Sequence, residues 1–427
     1  MTFEKLEDIA LVTPGTSPKG DLINSIGLGL PFFQGSKEFN ELYPVPERYT
    51  EHPVKVANRG DVLISVRAPV GEVNIAREDC SIGRGVMSVR AKKKSEQMFI
   101  FYFLKNLQGK WDSLGSTGSV FENLSTVALN NVALPSGLKR EAIGELLFNI
   151  DKKIATNNAL SKILEDIAQT IFKSWFIDFD PAKAKMAGQK PAGMDAATAS
   201  LFPDSMEESE LGLIPKGWEV KTLGDICGIT IGGLWGSDEE TPENPDSYQC
   251  IRGVDMDDLK ASGFAPRVPV RWDKTHNFSK RQLSGTQILI AGSGAGPVAK
   301  SLLWDEAMNI LFPKPVVFSN FVKRFECNSN EMASFVSSIL STMYESREIF
   351  TFVNGTSVPN LQDRELLTSK KIAVPSDDLL RAFDNIKRAS IRRKYSGENS
   401  NLVAIRDSLL PRLISGELQI PEEILAS

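Results

Sequence analysis

Laid against itself, the chain repeats, and that repeat constrains its fold more than any other feature. Leu6-Glu-Asp-Ile9 returns as Leu223-Gly-Asp-Ile226, and PFFQGSKEFNEL around Gln34-Gly35 is echoed by QCIRGVDMDDL around Arg252-Gly253. GDVLISVRAPVGEV from Gly60 reappears as GTQILIAGSGAGPV from Gly285. Thr117-Gly-Ser-Val120 with Asn123-Leu124 returns as Gly355-Thr-Ser-Val358 with Asn360-Leu361, and VALPS ending at Ser136 as IAVPS ending at Ser376. The offset grows from 217 at Leu6/Leu223 through 225 at Gly60/Gly285 to 240 at Pro135/Pro375. Order is kept while length drifts, as loop insertions in a second copy of one fold would produce. Within each copy, short β-rich runs such as Asp61 to Val66 and Gln287 to Ala291 are bounded by Gly and Pro. Each set precedes an apolar helical stretch, Glu96 to Gln108 or Glu331 to Glu345. This mix predicts two α+β domains.

Each copy ends in a long helix. Ser136 to Phe176 contain no proline and only two glycines, both near the start. Ile143, Leu147, Ile150 and Ile154 step by four, three and four; after Asn157 the apolar positions resume as Leu160, Leu164, Ile167 and Ile171, the seam spacing of a coiled coil. The shorter step from Asn157 to Leu160 predicts a local change of phase, with a polar residue fixing register. Such a helix spans about 60 Å, more than one small domain needs for its own core. The second runs from Asp377 to Ile414 through Leu379, Phe383, Ile386, Ile391, Leu402, Ile405 and Leu409, with a break expected at Gly397 and the polar run Ser396 to Asn401. LEDIAQTIFKSWF from Leu164 aligns with LVAIRDSLLPRLI from Leu402, so the helices correspond to their ends. Between the copies, Asp178 to Leu211 is rich in Ala, Gly, Pro, Asp and Met and reads as a linker that lets the second helix fold back antiparallel to the first.

Composition narrows the function. The net charge is −5, and the linker carries most of it, which leaves the folded parts about neutral. Met332 to Tyr344, a charge-free apolar stretch, is far short of a membrane span, and the N-terminus has no signal-peptide core, so a cytoplasmic protein is expected. Cys80, Cys227, Cys250 and Cys327 are widely spaced, with only His52 and His276 as further soft ligands, which indicates neither zinc site nor disulfide framework. There is no phosphate-binding loop of the GxxxxGK[ST] kind, no methyltransferase NPPY-type loop, no nuclease PD…(D/E)xK pattern and no nucleophile elbow. Gly292-Ser-Gly-Ala-Gly-Pro297 lacks dinucleotide-binding spacing, and its counterpart is RAPVG, so it reads as a tight surface loop. The chain is expected to bind rather than to catalyse.

A duplicated α+β domain, each copy closed by the G-S/T-S-V…NL and LP/VPS junctions and a long helix, with a PKGW restart at Pro215, resembles the specificity subunit of Type I restriction-modification systems over essentially the whole chain. The resemblance implies two target-recognition domains, residues 1–135 and 214–375, separated by long conserved helices over 136–177 and 376–418 that pair as an antiparallel coiled coil with pseudo-twofold symmetry. Residues 178–213 form the acidic linker and 419–427 a tail. It further implies double-stranded DNA with a bipartite sequence as ligand, one domain per half-site. Two methyltransferase subunits would be recruited by the helices and restriction subunits through them, with S-adenosylmethionine, ATP and Mg²⁺ on those partners and no cofactor in this chain. Two half-sites about one helical turn, ~34 Å, apart would suit this plan. A duplicated scaffold that binds protein is the alternative.

Base-reading candidates are polar and basic residues on loops: Gln34, Lys37, Arg67 and Arg84 in the first copy; Arg252, Lys280, Arg281 and Ser293 in the second. Lys92-Lys93-Lys94 and Lys323-Arg324, at comparable places in the two copies, suit phosphate contact or solvated strand ends. Ser116, Thr117 and Ser119, with Asn354, Thr356 and Ser357, are expected to cap or position the junction loop.

Overall fold

The computed structural model describes residues 2–40, 42–111, 123–229 and 232–421. The chain divides into two compact units, Met1–Ile154 with Leu402–Ser427, and Ala155–Asn401. The longer helices are α1 (Gln97–Asn106), α2 (Arg140–Phe176), α3 (Asn330–Glu345), α4 (Asp377–Lys394) and α5 (Glu398–Ile414).

In the first unit an antiparallel sheet runs in the order Ala10–Pro14, Val86–Ala91, Val62–Ser65, Val73–Ile75. A second sheet pairs Leu30–Phe33 in parallel with Cys80–Ile82. In the other unit the same order recurs as Cys227–Ile229, Val322–Cys327, Gln287–Ala291, Ser301–Trp304, and Asp246–Ile251 again lies parallel to Val316–Phe318. Each copy is closed by a small ladder, Phe3–Lys5 with Ala133–Pro135 and Glu219–Thr222 with Lys371–Val374. The repeat read from the residues is therefore a repeat of topology. Val62–Ser65 and Gln287–Ala291 are buried on both faces, which is why they read as continuous apolar runs rather than alternating ones. Helix α1 is likewise buried on every side from Phe99 to Leu104, and Gly144 of α2 lets that helix approach it, since a Cβ there would lie 2.4 Å from the Phe99 nitrogen.

The long helices pair antiparallel within each unit. In the first, Asp151 accepts from Arg406 and Lys139 reaches the carbonyl of Ile420. In the second, Asn157 faces Asn399 and Arg393, Glu165 meets Lys394, and Phe172 lies 5.4 Å from Phe383, so one number rises as the other falls. The expected break between α4 and α5 is present, with Gly397 at φ +77°.

The seam corrects the expected phase. Ile143, Leu147 and Ile154 are buried and Ile150 half-buried, but the repeat then continues unshifted through Asn157, Ser161 and Ala168 to Phe172 and Trp175. Leu160 and Ile167 are 41% and 47% exposed, and Leu164 and Ile171 only half-buried. Polar and small residues hold the seam here because the partner helix offers polar groups: the Asn157 carboxamide donates to Asn399 Oδ1 (2.9 Å) and accepts from Arg393 (2.8 Å). On the partner helices α4 and α5, Phe383 is buried, and Ile386, Leu402 and Leu409 are half-buried. Ile405 is half exposed because Arg406 takes the inward position beside Asp151.

The expected linker is also corrected. It holds helices Asp180–Met186 and Ala196–Ser200 and a hairpin of Met206–Ser209 with Gly212–Pro215. Phe202 is buried edge-on against Trp175 at 5.2 Å, and Lys185 donates to the carbonyls of Ala199 and Phe202. Helices of five and seven residues are too short to show periodicity, so the apolar anchors went unread.

The second unit also contains a polar cavity of about 230 Å³ lined by Gln169, Ser337, Ser338, Lys387, Ser390 and Tyr395, among others. Lys387 donates to Ser338 Oγ at 2.5 Å, and burial pushes its ammonium down from 10.5 to about 7. Between those pH values the unfolded chain holds a proton that the folded chain lacks, so stability should rise with pH. The expected slope from Lys387 is at most on the order of 1 kcal/mol per pH unit. Lys387→Met should flatten it, as read from urea midpoints at pH 7, 8 and 9; an unchanged slope would mean the ammonium is solvated.

Candidate functional site

In the first unit three strands end at one edge: Leu30–Phe33, Cys80–Ile82 and Val62–Ser65. The residues just beyond them are tied by backbone bonds, Gly83 N–H to Phe33 O (2.8 Å) and Val66 N–H to Gly85 O (3.0 Å). This rim brings Gln34, Arg67 and Arg84 together, all exposed, on three different loops with a rigid sheet beneath. Gly15 and Gly85 allow the loops to close: a Cβ would lie 2.2 Å from Gly83 O in the first case and 2.0 Å from Gln34 O in the second. Gln34 Oε1 accepts from Arg48 (3.1 Å), whose guanidinium pairs with Glu38 (2.8 Å) and lies over the Phe32 ring, and the Arg84 N–H donates to Ser17 Oγ (3.2 Å). Lys37 stands exposed in an ion pair with Glu47 (2.7 Å), and the bonded carboxylate holds its ammonium above the ordinary value. Long donors on a braced edge can address groups spaced across a polymer groove.

The second unit builds the same rim. Ser319 N–H bonds Ile251 O (2.9 Å) and Gly292 N–H bonds Phe321 O (2.8 Å), which puts Arg252, Ser293 and Asn320 where Gln34, Arg67 and Arg84 stand in the first. Its chemistry differs. Arg252 donates to both Asp255 oxygens (2.9 Å each) and to Arg267 O, so this guanidinium is half-buried and engaged. Ser293 bridges to Asn360, and Asn354 pairs with Asn360 at the repeated junction, where Gly355 adopts φ +98°. Thr356 and Ser357 are exposed on that turn; Ser116, Thr117 and Ser119 lie outside the described residues.

The other candidates disperse. Lys92, Lys93 and Lys94 lie past the far end of strand Val86–Ala91, roughly 20 Å from the rim. Lys93 there pairs with Glu96 and Glu141. Lys323 and Arg324 are not at a comparable place: they sit at the rim end of the equivalent strand, Val322–Cys327. Lys323 pairs with Asp363 (3.5 Å), and Arg324 is buried beside Glu326 and over Phe318, where burial lowers its guanidinium. Lys280 is exposed, whereas Arg281 donates to the carbonyls of Gly232 (2.7 Å) and Asn277 (2.6 Å) and so ties two loops together. Sequence reading missed Phe321, 64% exposed beside Gly292 on the second rim. An apolar residue between two strand-like runs looks like core; only alignment with Gly85 would have flagged it.

Among the described residues no helix is long and apolar enough to cross a membrane, and no group of three or more His, Cys, Asp or Glu could hold a metal ion.

Residues 1–166 match the family described as Type I restriction modification DNA specificity domain. The MjaIX specificity subunit of a Type I restriction enzyme from Methanocaldococcus jannaschii is 26% identical over 98% of this chain and 94% of its own. The putative MjaX specificity subunit from the same organism is 41% identical over 33% of each chain. The crystal structure of a Type I restriction-modification system S subunit from M. genitalium covers 97% of this chain and 96% of its own, with TM-score 0.59 and 17% identity, a likeness of fold.

Proposed function

We propose, from the premise that this chain belongs to the specificity subunits of Type I restriction-modification systems, that each of its two domains reads one half of a bipartite double-stranded DNA target through its rim. The observation that carries this reading is the duplicated rim, one backbone plan presenting different side chains in its two copies: Gln34, Arg67 and Arg84 in one, Arg252, Ser293 and Asn320 in the other. Equal scaffolds with unequal edges suit two unlike half-sites. The chain itself acts without catalysis and in the cytoplasm. Two methyltransferase subunits dock on its long helices and bring the restriction subunits, and S-adenosylmethionine, ATP and Mg²⁺ are held by those partners. The exposed apolar stripe Leu160, Ile163 and Ile167, on one side of α2, supports the docking.

Modified-base sequencing of DNA from cells co-expressing this chain with a partner methyltransferase, against cells with the methyltransferase alone, tests the reading. A methylated motif of two short half-sites split by a fixed gap, seen only with this chain, is expected. Absence of any motif with an active, bound partner, together with no salt-dependent affinity for DNA, would favour a protein-binding scaffold.

A further inference from the structure

The two rims differ most at one position. In the first copy the turn that enters strand Val86–Ala91 ends in Gly85, where a Cβ would lie 2.0 Å from the Gln34 carbonyl oxygen, so no side chain fits. In the second copy the equivalent residue, which makes the same backbone bond to the neighbouring loop, is Phe321. Its ring is 64% exposed, although the backbone that carries it is held on every side. Val322 N–H closes the turn onto Ser319 O (2.9 Å), Gly292 N–H bonds the Phe321 carbonyl, Ser319 N–H bonds Ile251 O, and Phe318, Val322 and Phe325 are buried beneath. A large aromatic ring is thus presented to solvent by a rigid turn, at the edge where Arg252 and Ser293 stand. Lys323, two residues on, lies against Gly292 with its ammonium toward Asp363. Val254 and Val358, also on rim segments, are likewise more than half exposed, so this edge sets apolar side chains beside Arg252, Ser293 and Asn320.

Apolar side chains, phenylalanine among them, serve some DNA-binding proteins as wedges: inserted between base steps, they partly unstack them and kink the duplex. Steps that unstack easily, pyrimidine followed by purine, favour such entry, so the wedge reads sequence through deformability. We propose that Phe321 is a specificity-determining residue of the second domain, its ring wedging into one base step of that domain's half-site. The inference rests on the rims being the DNA-reading surfaces. It assigns the second half-site a device that the first cannot have, because Gly85 has no room for it.

Methylation motifs would be compared for the wild-type chain, Phe321→Ala and Phe321→Trp, each co-expressed with the same methyltransferase subunit. Phe321→Ala should lose discrimination about tenfold or more at one step of one half-site, with the other half unchanged, and Phe321→Trp should keep it. Duplexes carrying 2-aminopurine at that step should brighten with the wild-type complex and not with Phe321→Ala. Because the ring is exposed, the melting temperature of Phe321→Ala should match the wild type, which separates lost reading from lost fold. A wild-type motif retained unchanged by Phe321→Ala, or equal 2-aminopurine fluorescence in both complexes, would overturn the wedge alone. A wild-type chain that directs no split motif would overturn the wedge and the DNA-reading rims together.

Discussion

Replacing Arg67 and Arg84 together by alanine should erase discrimination in one half-site and leave the other intact. Both guanidiniums stand exposed on the first rim, on loops fixed by the Val66–Gly85 and Gly83–Phe33 backbone bonds, so their reach is limited mainly by side-chain rotamers. A guanidinium aimed at a guanine edge offers two parallel donors, and such a pair contributes about 1–3 kcal/mol of discrimination. Two of them acting independently would be worth roughly thirtyfold to about twenty-thousandfold; because they share one rim, the double mutant is expected to fall short of the product of the singles. Competitive methylation of half-site variants, one base changed at a time, measures this directly. Loss of discrimination in both half-sites would mean that the domains do not read independently. Arg281→Ala should behave differently, since that side chain holds the carbonyls of Gly232 and Asn277: lower stability with the motif unchanged is expected, read by melting temperature and motif together.

These contrasts show what the residues alone can disclose. The duplication was legible because insertions leave order intact, and the Gln34, Arg67 and Arg84 cluster because each comes just after a strand-like run, where loops carry function. The phase of the seam was not. An apolar count favours Leu160 and Ile167, yet the inward positions belong to Asn157 and Ser161, and the bonds of Asn157 to Asn399 and Arg393 across the pair are invisible along one helix. Arg281 looked like a loop residue free to reach outward: nothing in the sequence announces the two carbonyls that engage it. The short basic runs looked alike in both copies until the strands showed that Lys92 follows the far end of its strand, Val86–Ala91, while Lys323 sits at the rim end of the equivalent strand, Val322–Cys327.

Asp151→Ala should be the most destabilising single change in the first unit. The carboxylate is buried and receives Tyr102 OH at 2.7 Å and Arg406 at 2.5 Å, with Lys105 Nζ at 3.6 Å, so a single anion from α2 holds a hydroxyl and a lysine of α1 and the guanidinium of α5. Burial already disfavours both titrating neighbours in their charged forms, lowering the Lys105 ammonium and raising the Tyr102 hydroxyl. Removing the anion leaves two cations enclosed without it, a loss of about 3–5 kcal/mol for a buried pair broken from one side. Asp151→Asn keeps an acceptor for Tyr102 and should lose less. Tyr102→Phe removes only a hydroxyl and should cost about 1 kcal/mol. Urea unfolding of the three variants should rank them in that order, and amide exchange in Asp151→Ala should rise first in residues 402–414, whose guanidinium anchor has gone. A change below about 1 kcal/mol for Asp151→Ala would mean that water already solvates the three groups and that apolar packing alone joins α5 to the first unit.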